Sequence, residues 1–424
     1  MSNLDNVYAL LKENKKNIEE GRINGIPFPI PQFSDCYPLI KQGQYILISS
    51  ITKGSKSQFT NYAFIFETLF YAMEHPDLVR VKFLYFNFEE SQEDILMRFM
   101  SYCLYKFDKI RISPLFLQSP NEKHLLSNDV LRLLESDRYK AIFTFFDEHI
   151  EFCEARTSIA MDIKIKEYAY SHGSATYKTS YYKDKETNST HETKSIDVYT
   201  PNDPLEYVFI IYDHISLVQL VQGQTLLQAI GEVSKKNVYY KNVFKYIPIM
   251  IQQQSKELGG LEANKQGRIR PSSNFLADNK STANDCTQFF GLTDPAAFEV
   301  PEYFGYSVKR LGHNFRVLEL IANRSGEANK MVPLFFDGAV NYFGPMPLPD
   351  EQDKLERVYK HIENINRKQS EENKEHRKSV SFFIKNKLFN HENKTNQGDR
   401  RKDNQCIQPH KRFCMPVQRH RQCI

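Results

Sequence analysis

The fold is decided by the stretch Gly43-Gln-Tyr-Ile-Leu-Ile-Ser-Ser-Ile-Thr-Lys-Gly-Ser-Lys-Ser-Gln58. Its apolar residues from Tyr45 to Ile48 predict a buried strand, and the small polar residues from Ser49 to Ser55 predict a tight loop. A helix is expected to begin at Lys56. A strand, a loop and a helix in this order form the phosphate-binding unit in which backbone N–H groups and a helix N-terminus hold phosphate oxygens.

The loop departs from the usual phosphate-loop pattern, G-x-x-x-x-G-K-[ST]. Lys56 and Ser57 occupy its last two places, but Ser50 and Ser55 stand where the glycines belong, and the nearest glycine is Gly54. In that pattern the lysine reaches the β- and γ-phosphates and the hydroxyl binds Mg²⁺. Taken alone, the loop is compatible with a nucleotide site and with an ordinary surface turn. On the first interpretation, the residues that hold the nucleotide are Ser50, Thr52, Lys53, Gly54, Ser55, Lys56 and Ser57.

The length and composition allow one large α/β domain plus appendages. The chain has 424 residues, of which 41% are hydrophobic, enough for a sizeable core. It contains no apolar run of the length that a membrane span needs, and its first residues lack the basic and apolar regions of a signal peptide. We therefore expect a cytoplasmic protein without a membrane span, whose seven cysteines stay reduced.

Charge is distributed unevenly along the chain. The net charge is +4, yet residues 367–424 carry a large excess of Lys and Arg, which leaves the rest of the chain mildly acidic. A basic tail suits contact with nucleic acid, and it also suits a solvated segment without a fixed structure. Both interpretations stay open at this point.

The chain is predicted to have four parts. Residues 1–42 form a polar helix and a proline-rich arm, since the prolines of Gly25-Ile-Pro-Phe-Pro-Ile-Pro-Gln-Phe33 forbid a helix there. Residues 43–348 form the main domain, with a polar insert at about 173–203 that is either a loop or a flexible hairpin. A charged helix at 349–378 and a basic, disordered tail at 379–424 follow.

Apolar runs divide the main domain into strands, and helices separate them. The first helix is expected from Gln58 to Met73. Strands are expected at Val81–Glu90, Lys140–Phe145, Glu206–Asp213, Tyr246–Ile251 and Arg316–Ala322, with a hairpin around Asp337-Gly338. This alternation predicts a doubly wound α/β fold, in which a mostly parallel sheet has helices on both faces and a C-terminal β-hairpin.

Three of these strands end on side chains that suit phosphate chemistry. The run from Val81 ends on Glu89 and Glu90, which either activate water or simply begin the next helix. Another apolar strand ends on Asp213, where a Mg²⁺-ordering carboxylate is expected, since ligands bind at the carboxyl ends of parallel strands. The run from Tyr246 ends on glutamines that include Gln254.

In their order and spacing these stretches resemble the ATPase domain of DnaB-type replicative hexameric helicases, which belong to the RecA-like superfamily. The resemblance covers roughly residues 22–345. It implies that Glu89 is the catalytic glutamate, Asp213 the Walker B aspartate and Gln254 the γ-phosphate sensor. In Ile321-Ala-Asn-Arg-Ser-Gly326 it makes Arg324 the arginine finger, which reaches the nucleotide of a neighbouring subunit.

The same resemblance implies cofactors and partners. It predicts ATP and Mg²⁺, with Ser57 and Asp213 as metal ligands, and a homo-oligomer that is expected to be a hexamer. A primase or a loader is a further expected partner. Leu276–Asp285 is similar to the stretch beside the family's DNA-facing loop, so single-stranded DNA is expected nearby. The basic residues expected to contact it are Arg268, Arg270 and Lys280.

The sequence also departs from the family. No stretch resembles the separate N-terminal helical domain that binds primase, and Ala322 replaces the lysine that usually stands two residues before the finger. A short, glycine-poor domain of this kind favours a viral or phage version, which would act in the host cytoplasm.

Three functional hypotheses follow. The leading one is an ATP-driven helicase or translocase that acts on single-stranded DNA in replication. A recombination or repair ATPase of the RecA-like superfamily would share every nucleotide motif. The third is a catalytically weakened nucleotide-binding ring or loader, because the Cβ of Ser55 costs about 1–2 kcal/mol if that position needs a glycine-only φ.

Overall fold

One nine-stranded sheet organises the chain in the computed structural model, which describes residues 3–183, 189–255 and 269–367. The strands, numbered along the chain, are β1 (Ile26–Pro27), β2 (Leu39–Ile40), β3 (Ile46–Ser50), β4 (Arg80–Asn87), β5 (Ile150–Phe152), β6 (Gly173–Lys183), β7 (Thr190–Pro201), β8 (Glu206–Asp213), β9 (Ile247–Gln253), β10 (Gln288–Thr293), β11 (Glu302–Tyr303), β12 (Tyr306–Ser307), β13 (Phe315–Asn323), β14 (Lys330–Asp337) and β15 (Tyr342–Pro345). The helices are α1 (Asn3–Glu19), α2 (Lys56–Thr60), α3 (Glu67–Glu74), α4 (Gln92–Asp108), α5 (Pro114–Leu117), α6 (Asn128–Leu134), α7 (Asp137–His149), α8 (Ser158–Ser171), α9 (Leu226–Val243), α10 (Thr282–Asp285), α11 (Val308–Leu311) and α12 (352–367). A π-helical segment, Asn61–Phe66, joins α2 to α3, so that one helix runs on from the phosphate loop.

The chain divides into two compact units, Met1–Tyr359 and Lys360–Ile424. The first contains every strand named above. In the second, residues 360–367 are helical, and the predicted tail at 379–424 lies outside the described residues. The predicted charged helix at 349–378 is described up to residue 367. Within the described ranges, no helix combines the length and the apolarity that a membrane crossing needs.

The sheet has the strand order β15-β14-β13-β10-β3-β9-β8-β4-β5. The strands from β10 to β5 pair in parallel, whereas β13, β14 and β15 extend one edge in antiparallel fashion. Parallel neighbours need crossover connections, and these connections carry helices on both faces of the sheet. The predicted fold class is confirmed: it is a RecA-like, doubly wound, mostly parallel sheet with a C-terminal hairpin.

Strand β3 shows how the sheet separates two hydrophobic cores. Ile46 and Ile48 belong to the core built with α2, α3, α4 and α7, whereas Tyr45 and Leu47 belong to the core built with α8 and α9. The alternation follows from the period of two along a strand. Because both faces of the sheet are covered, this strand is an uninterrupted apolar run in the sequence.

Two strand predictions need correction. The residues at 140–145 belong to helix α7, in which the buried side chains of Tyr139, Ile142 and Phe146 recur at helical spacing. The sequence pattern also misses β10, a strand next to β3 at the centre of the sheet, because Gly291 interrupts its apolar run. A Cβ on Gly291 would lie 2.6 Å from the side chain of Ile321, so the packing there requires glycine.

The proline-rich arm packs on the same domain that it precedes. Phe28 stacks on Phe290 of β10 with ring centroids 5.5 Å apart, and Phe33 is fully buried. The polar insert forms the antiparallel hairpin of β6 and β7. Of the two alternatives that the sequence leaves open for this insert, the structure selects the hairpin.

Candidate active site

The carboxyl ends of neighbouring parallel strands meet around one cleft of about 470 Å³. β3 leads into the phosphate loop, and its last residue, Ser50, pairs with Gln253 at the end of β9. Asp213 at the end of β8 pairs with Asn87 at the end of β4. The residues that line the cleft are Thr52, Lys53, Gly54, Ser55, Lys56, Ser57, Gln58, Asn61, Glu89, Glu90, Arg98, His214 and Gln253. The predicted phosphate loop and the predicted catalytic glutamate therefore face the same space.

The phosphate loop contains left-handed backbone conformations at Lys53, with φ 61°, and at Ser55, with φ 68°. Ser55 thus stands in a conformation that suits glycine, and its Cβ costs about 1–2 kcal/mol. Gly54 has a different role, because a Cβ on it would lie 1.8 Å from Ser50 Oγ. The glycine allows the loop to close over Ser50, and it does not replace the glycine missing at position 55.

Lys56 begins helix α2 and is only 6% exposed. Its Nζ donates to the carbonyl oxygen of Ile51 at 3.1 Å, across the loop. Burial lowers the pKa of Lys56 to about 8, although attraction to Asp213 and Glu89 opposes the shift. A phosphate at the loop would favour the charged ammonium, so this lysine is suited to anion binding.

Ser57 and Asp213 bring a hydroxyl and a carboxylate together in the cleft. Ser57 Oγ donates to Asp213 Oδ1 at 2.7 Å, and the hydroxyl of Tyr85 donates to Asp213 Oδ2 at 3.0 Å. Burial raises the pKa of Asp213 to about 6, and the two hydrogen bonds oppose this shift. Hard oxygen ligands of this kind are those that Mg²⁺ takes in proteins.

These residues fit Mg²⁺. A buried carboxylate gains from a cation beside it, because burial without a partner is costly for a charged group. In the part of the chain that the structure describes, no group of three or more His, Cys, Asp or Glu side chains could form an all-protein metal cage. Mg²⁺ bound through one or two side chains and nucleotide phosphates needs no such cage.

Polar side chains connect Glu89 to the phosphate loop. His214 Nε2 lies 3.2 Å from Glu89 Oε1 and 3.2 Å from Gln253 Nε2. Gln253 Oε1 in turn accepts a hydrogen bond from Thr52 Oγ1 at 3.0 Å. Burial lowers the pKa of His214 below its ordinary value, while the nearby Glu89 raises it. The acid at the end of β4 is thereby linked to the end of β9 and to the loop after β3.

The neighbouring acid, Glu90, has a different partner. Arg98 on α4 donates from Nε to Glu90 Oε2 at 3.1 Å, and the two side chains form an ion pair. Ser91 caps α4 in a capping box with Asp94, so both acids lie in the turn before the helix. Because Glu90 is held by Arg98, the geometry favours Glu89 as the acid that faces a reacting water.

Gln254 points away from the cleft. It is 4% exposed, and its backbone N–H donates to the carbonyl oxygen of Ser50 at 2.8 Å. With its amide oriented to accept from Ser49, it donates to the carbonyl oxygens of Ser272 at 3.1 Å and Phe275 at 3.2 Å. The side chain at the cleft is that of Gln253, one position earlier. The geometry therefore favours Gln253 over Gln254 as the glutamine that meets a γ-phosphate.

Arg324 follows strand β13, whose last residue, Asn323, pairs with Gln288 at the start of β10. Gln288 also pairs with Ile46 at the start of β3. The phosphate loop follows the other end of β3, so Arg324 and the loop of the same subunit lie at opposite edges of the sheet. Arg324 is exposed and donates to the carbonyl oxygen of Asn284.

The predicted DNA-contacting residues differ in their surroundings. Arg268 lies outside the described residues. Arg270 forms an ion pair with Glu319, to which its Nε donates at 3.1 Å, and the carboxylate of Glu319 is almost completely buried. Lys280 is exposed. Arg270 is thus committed to the sheet, whereas Lys280 carries its ammonium into solvent.

Several residues at the site are not predicted from the sequence. Gln253 and His214 stand one position from Gln254 and Asp213, so the strand-end runs carry their signal without fixing which residue faces the cleft. Arg316 donates to Ser55, 261 positions away, and no local pattern links the two. The residues in this group are Asn61, Tyr85, Arg98, His214, Gln253 and Arg316.

Comparison with known proteins gives structural neighbours. No protein-family model and no curated protein matches the chain. A solved ATPase domain of a DnaB-like replicative helicase is similar to it with a TM-score of 0.55 and 13% identity, over 82% of this chain and 100% of that chain. A second DnaB-like replicative helicase, in a structure that concerns its interactions with primase, is similar with a TM-score of 0.54 and 12% identity, over 82% of this chain and 68% of that chain.

These neighbours are DnaB-like replicative helicases and their ATPase domains, so the chain has the fold of that class. At 12% and 13% identity the likeness establishes the fold alone. The sequence resemblance to DnaB-type, RecA-like ATPase domains is confirmed at this level.

Proposed function

We propose that this protein is an ATP-driven DNA helicase or translocase, which acts on single-stranded DNA in replication. The observation that carries the proposal is the cleft in which Lys56, the bonded pair Ser57 and Asp213, and Glu89 converge. A phosphate-binding lysine, a metal-binding pair and an acid at one edge of a parallel sheet are the parts that phosphoryl transfer from a nucleotide requires. The likeness to DnaB-like ATPase domains supports the DNA substrate.

The residues divide the work of ATP hydrolysis. Lys56 neutralises charge on the β- and γ-phosphates, and Glu89 accepts the proton of the attacking water. Gln253 contacts the γ-phosphate and, through His214, is linked to Glu89. Mg²⁺ held by Ser57 and Asp213 supplies positive charge against the phosphate oxygens.

The position of Arg324 supports a homo-oligomer, and a hexamer is the assembly that we propose. An arginine at the edge opposite its own phosphate loop can stabilise charge on a nucleotide only in a neighbouring copy. In such a ring the loops around 268–280 would contact DNA phosphates by charge, without reading sequence. One similar structure concerns a DnaB-like helicase and its interactions with primase, so a primase or a loader is the partner class that we propose.

One observation favours a second candidate, a nucleotide-binding ring or loader with weakened catalysis. Ser55 occupies a left-handed conformation with φ 68°, where the usual phosphate loop has glycine. A strained loop would lower turnover without abolishing nucleotide binding. A RecA-like recombination or repair ATPase would share the same cleft, and strand separation distinguishes it from a helicase.

The test is ATP hydrolysis by the purified full chain with and without single-stranded DNA. The proposal expects hydrolysis that DNA stimulates, and it expects two different defects in matched variants. Lys56→Ala should lose both nucleotide binding and turnover, whereas Glu89→Gln should bind ATP and fail to hydrolyse it. Turnover in the wild type that does not exceed that of either variant would contradict the enzymatic proposal.

A further inference from the structure

Ser55 has an anchor behind the phosphate loop. Arg316 Nη2 donates a hydrogen bond to Ser55 Oγ at 3.1 Å, and the same Nη2 lies 3.2 Å from Asp294 Oδ2. The hydroxyl, the guanidinium and the carboxylate therefore form a continuous polar connection from the loop into the interior. Hydrogen bonds that involve a charged partner are stronger than neutral ones.

The guanidinium of Arg316 is held in place on several sides. The residue is 3% exposed. Its Nη1 donates to the carbonyl oxygens of His313 at 2.8 Å and of Phe315 at 2.9 Å. Its central carbon lies 4.6 Å from the ring centroid of Phe336. A donor fixed in this way defines where the hydroxyl of Ser55 must lie.

The sheet itself brings Arg316 and Asp294 together. Asp294 directly follows β10, and Arg316 is the second residue of β13; their neighbours Thr293 and Val317 pair across the two strands. Asp294 is 4% exposed, and it compensates part of the cost of burying the arginine, whose pKa burial lowers to about 10. The anchor is therefore built on two paired strands of the central sheet.

We propose that Arg316 is a positioning residue for the phosphate loop, which keeps Ser55 in its left-handed conformation by holding the hydroxyl. Serine alone prefers the right-handed and extended regions, so without the bond the loop would leave this conformation. The inference rests on the proposed function, since it assigns the loop to nucleotide binding. It explains how a chain without the usual glycine keeps a phosphate loop.

Substitutions of Ser55 test the anchor without disturbing the core. Ser55→Ala keeps the Cβ and removes the hydroxyl, so it should weaken the binding of a fluorescent ATP analogue in Mg²⁺ buffer about tenfold. Ser55→Gly removes the need for an anchor, because glycine adopts a positive φ without strain, and it should bind at least as tightly as the wild type. Wild-type affinity in Ser55→Ala would overturn the proposal.

Arg316→Lys tests the other partner in two backgrounds. Lysine retains a cation beside Asp294 but lacks the planar fork that serves two acceptors. In the wild-type background it should weaken nucleotide binding about tenfold, and in the Ser55→Gly background by no more than about twofold, because the anchor no longer matters there. Equal losses in both backgrounds would show that Arg316 supports the fold in general, and would overturn the positioning role.

The outcomes separate this inference from the proposed function. A wild type that binds no ATP analogue contradicts the proposed function and this inference together. A wild type that binds the analogue, with Ser55→Ala binding it equally well, contradicts the positioning role alone. If Arg316→Lys does not fold, the comparison of Ser55→Ala with Ser55→Gly decides the matter.

Discussion

Arg324 and Lys56 lie at opposite ends of the central sheet within one subunit. Asn323, the last residue of β13, aligns through β10 with Ile46 at the start of β3, whereas Lys56 lies beyond the end of that strand at Ser50. The strand between these ends is roughly 13 Å long before the loop is counted. The separation means that Arg324 can serve a nucleotide only in a neighbouring copy.

Arg324→Ala is therefore expected to bind ATP normally at its own intact loop and to hydrolyse it poorly. A finger that stabilises charge on the transferred phosphoryl group contributes about 10³ to 10⁵ in rate. Phosphate release by the assembled oligomer measures the loss, and nucleotide titration checks that affinity is retained.

Mixing gives the control for this prediction. When Arg324→Ala subunits are mixed with Lys56→Ala subunits, some interfaces pair an intact loop with an intact finger, so part of the activity should return. Normal turnover of Arg324→Ala alone, with no change on mixing, would show that Arg324 is an ordinary surface residue.

Gln253 and Gln254 provide a second, matched test. Gln253→Ala removes the side chain that links His214 to Thr52, so it should preserve ATP binding while lowering kcat by at least about tenfold. Gln254→Ala removes a buried amide, and it should lower the free energy of unfolding by about 1–3 kcal/mol. Steady-state kinetics and urea unfolding of both variants separate the two effects. A larger kinetic defect in Gln254→Ala would return the sensor role to Gln254.

The bonded pair Ser57 and Asp213 predicts the dependence on Mg²⁺. Asp213→Asn keeps the shape of the side chain and removes its charge, so half-maximal nucleotide binding should require a higher Mg²⁺ concentration. Glu90→Gln is the control, because Glu90 lines the same cleft but is paired with Arg98. Equal Mg²⁺ requirements for Asp213→Asn and the wild type would exclude Asp213 as a metal ligand.

DNA binding should separate Lys280 from Arg270. Lys280→Ala is expected to weaken binding to single-stranded DNA equally for all sequences, and to reduce the slope of log affinity against log salt by about one. Arg270→Ala leaves the buried Glu319 without its cation, so its main effect should be a lower stability, by about 1–3 kcal/mol because the arginine is partly exposed. Fluorescence anisotropy at several salt concentrations, with thermal unfolding alongside, measures both. An unchanged salt slope in Lys280→Ala would remove it from the DNA surface.

Local patterns predict the centre of this site well. The apolar strand β3, the loop after it and the acid at the end of β8 are each encoded within a few consecutive residues, and the structure brings them to one cleft. Gln253 illustrates where such reasoning fails. Successive side chains of a strand point to opposite faces, so a shift of one residue in a run of glutamines changes which one meets the cleft.

Other features depend on contacts between distant parts of the chain. Gly291 weakens the sequence signal of β10, but the glycine is needed because Ile321 and Pro271 approach it closely. The bond from Arg316 to Ser55 joins β13 to the phosphate loop, and it arises only when the sheet is assembled. Tertiary packing of this kind leaves no periodic trace in the sequence.

Strand separation of a forked DNA duplex is the measurement that tests the central claim most directly. With ATP and Mg²⁺, the wild-type chain should release the displaced strand, whereas Glu89→Gln should bind ATP and the single-stranded arm of the fork without releasing it. Forks with a single-stranded arm of either polarity cover both directions of translocation. A wild type that hydrolyses ATP in the presence of DNA but separates neither fork would contradict the helicase assignment.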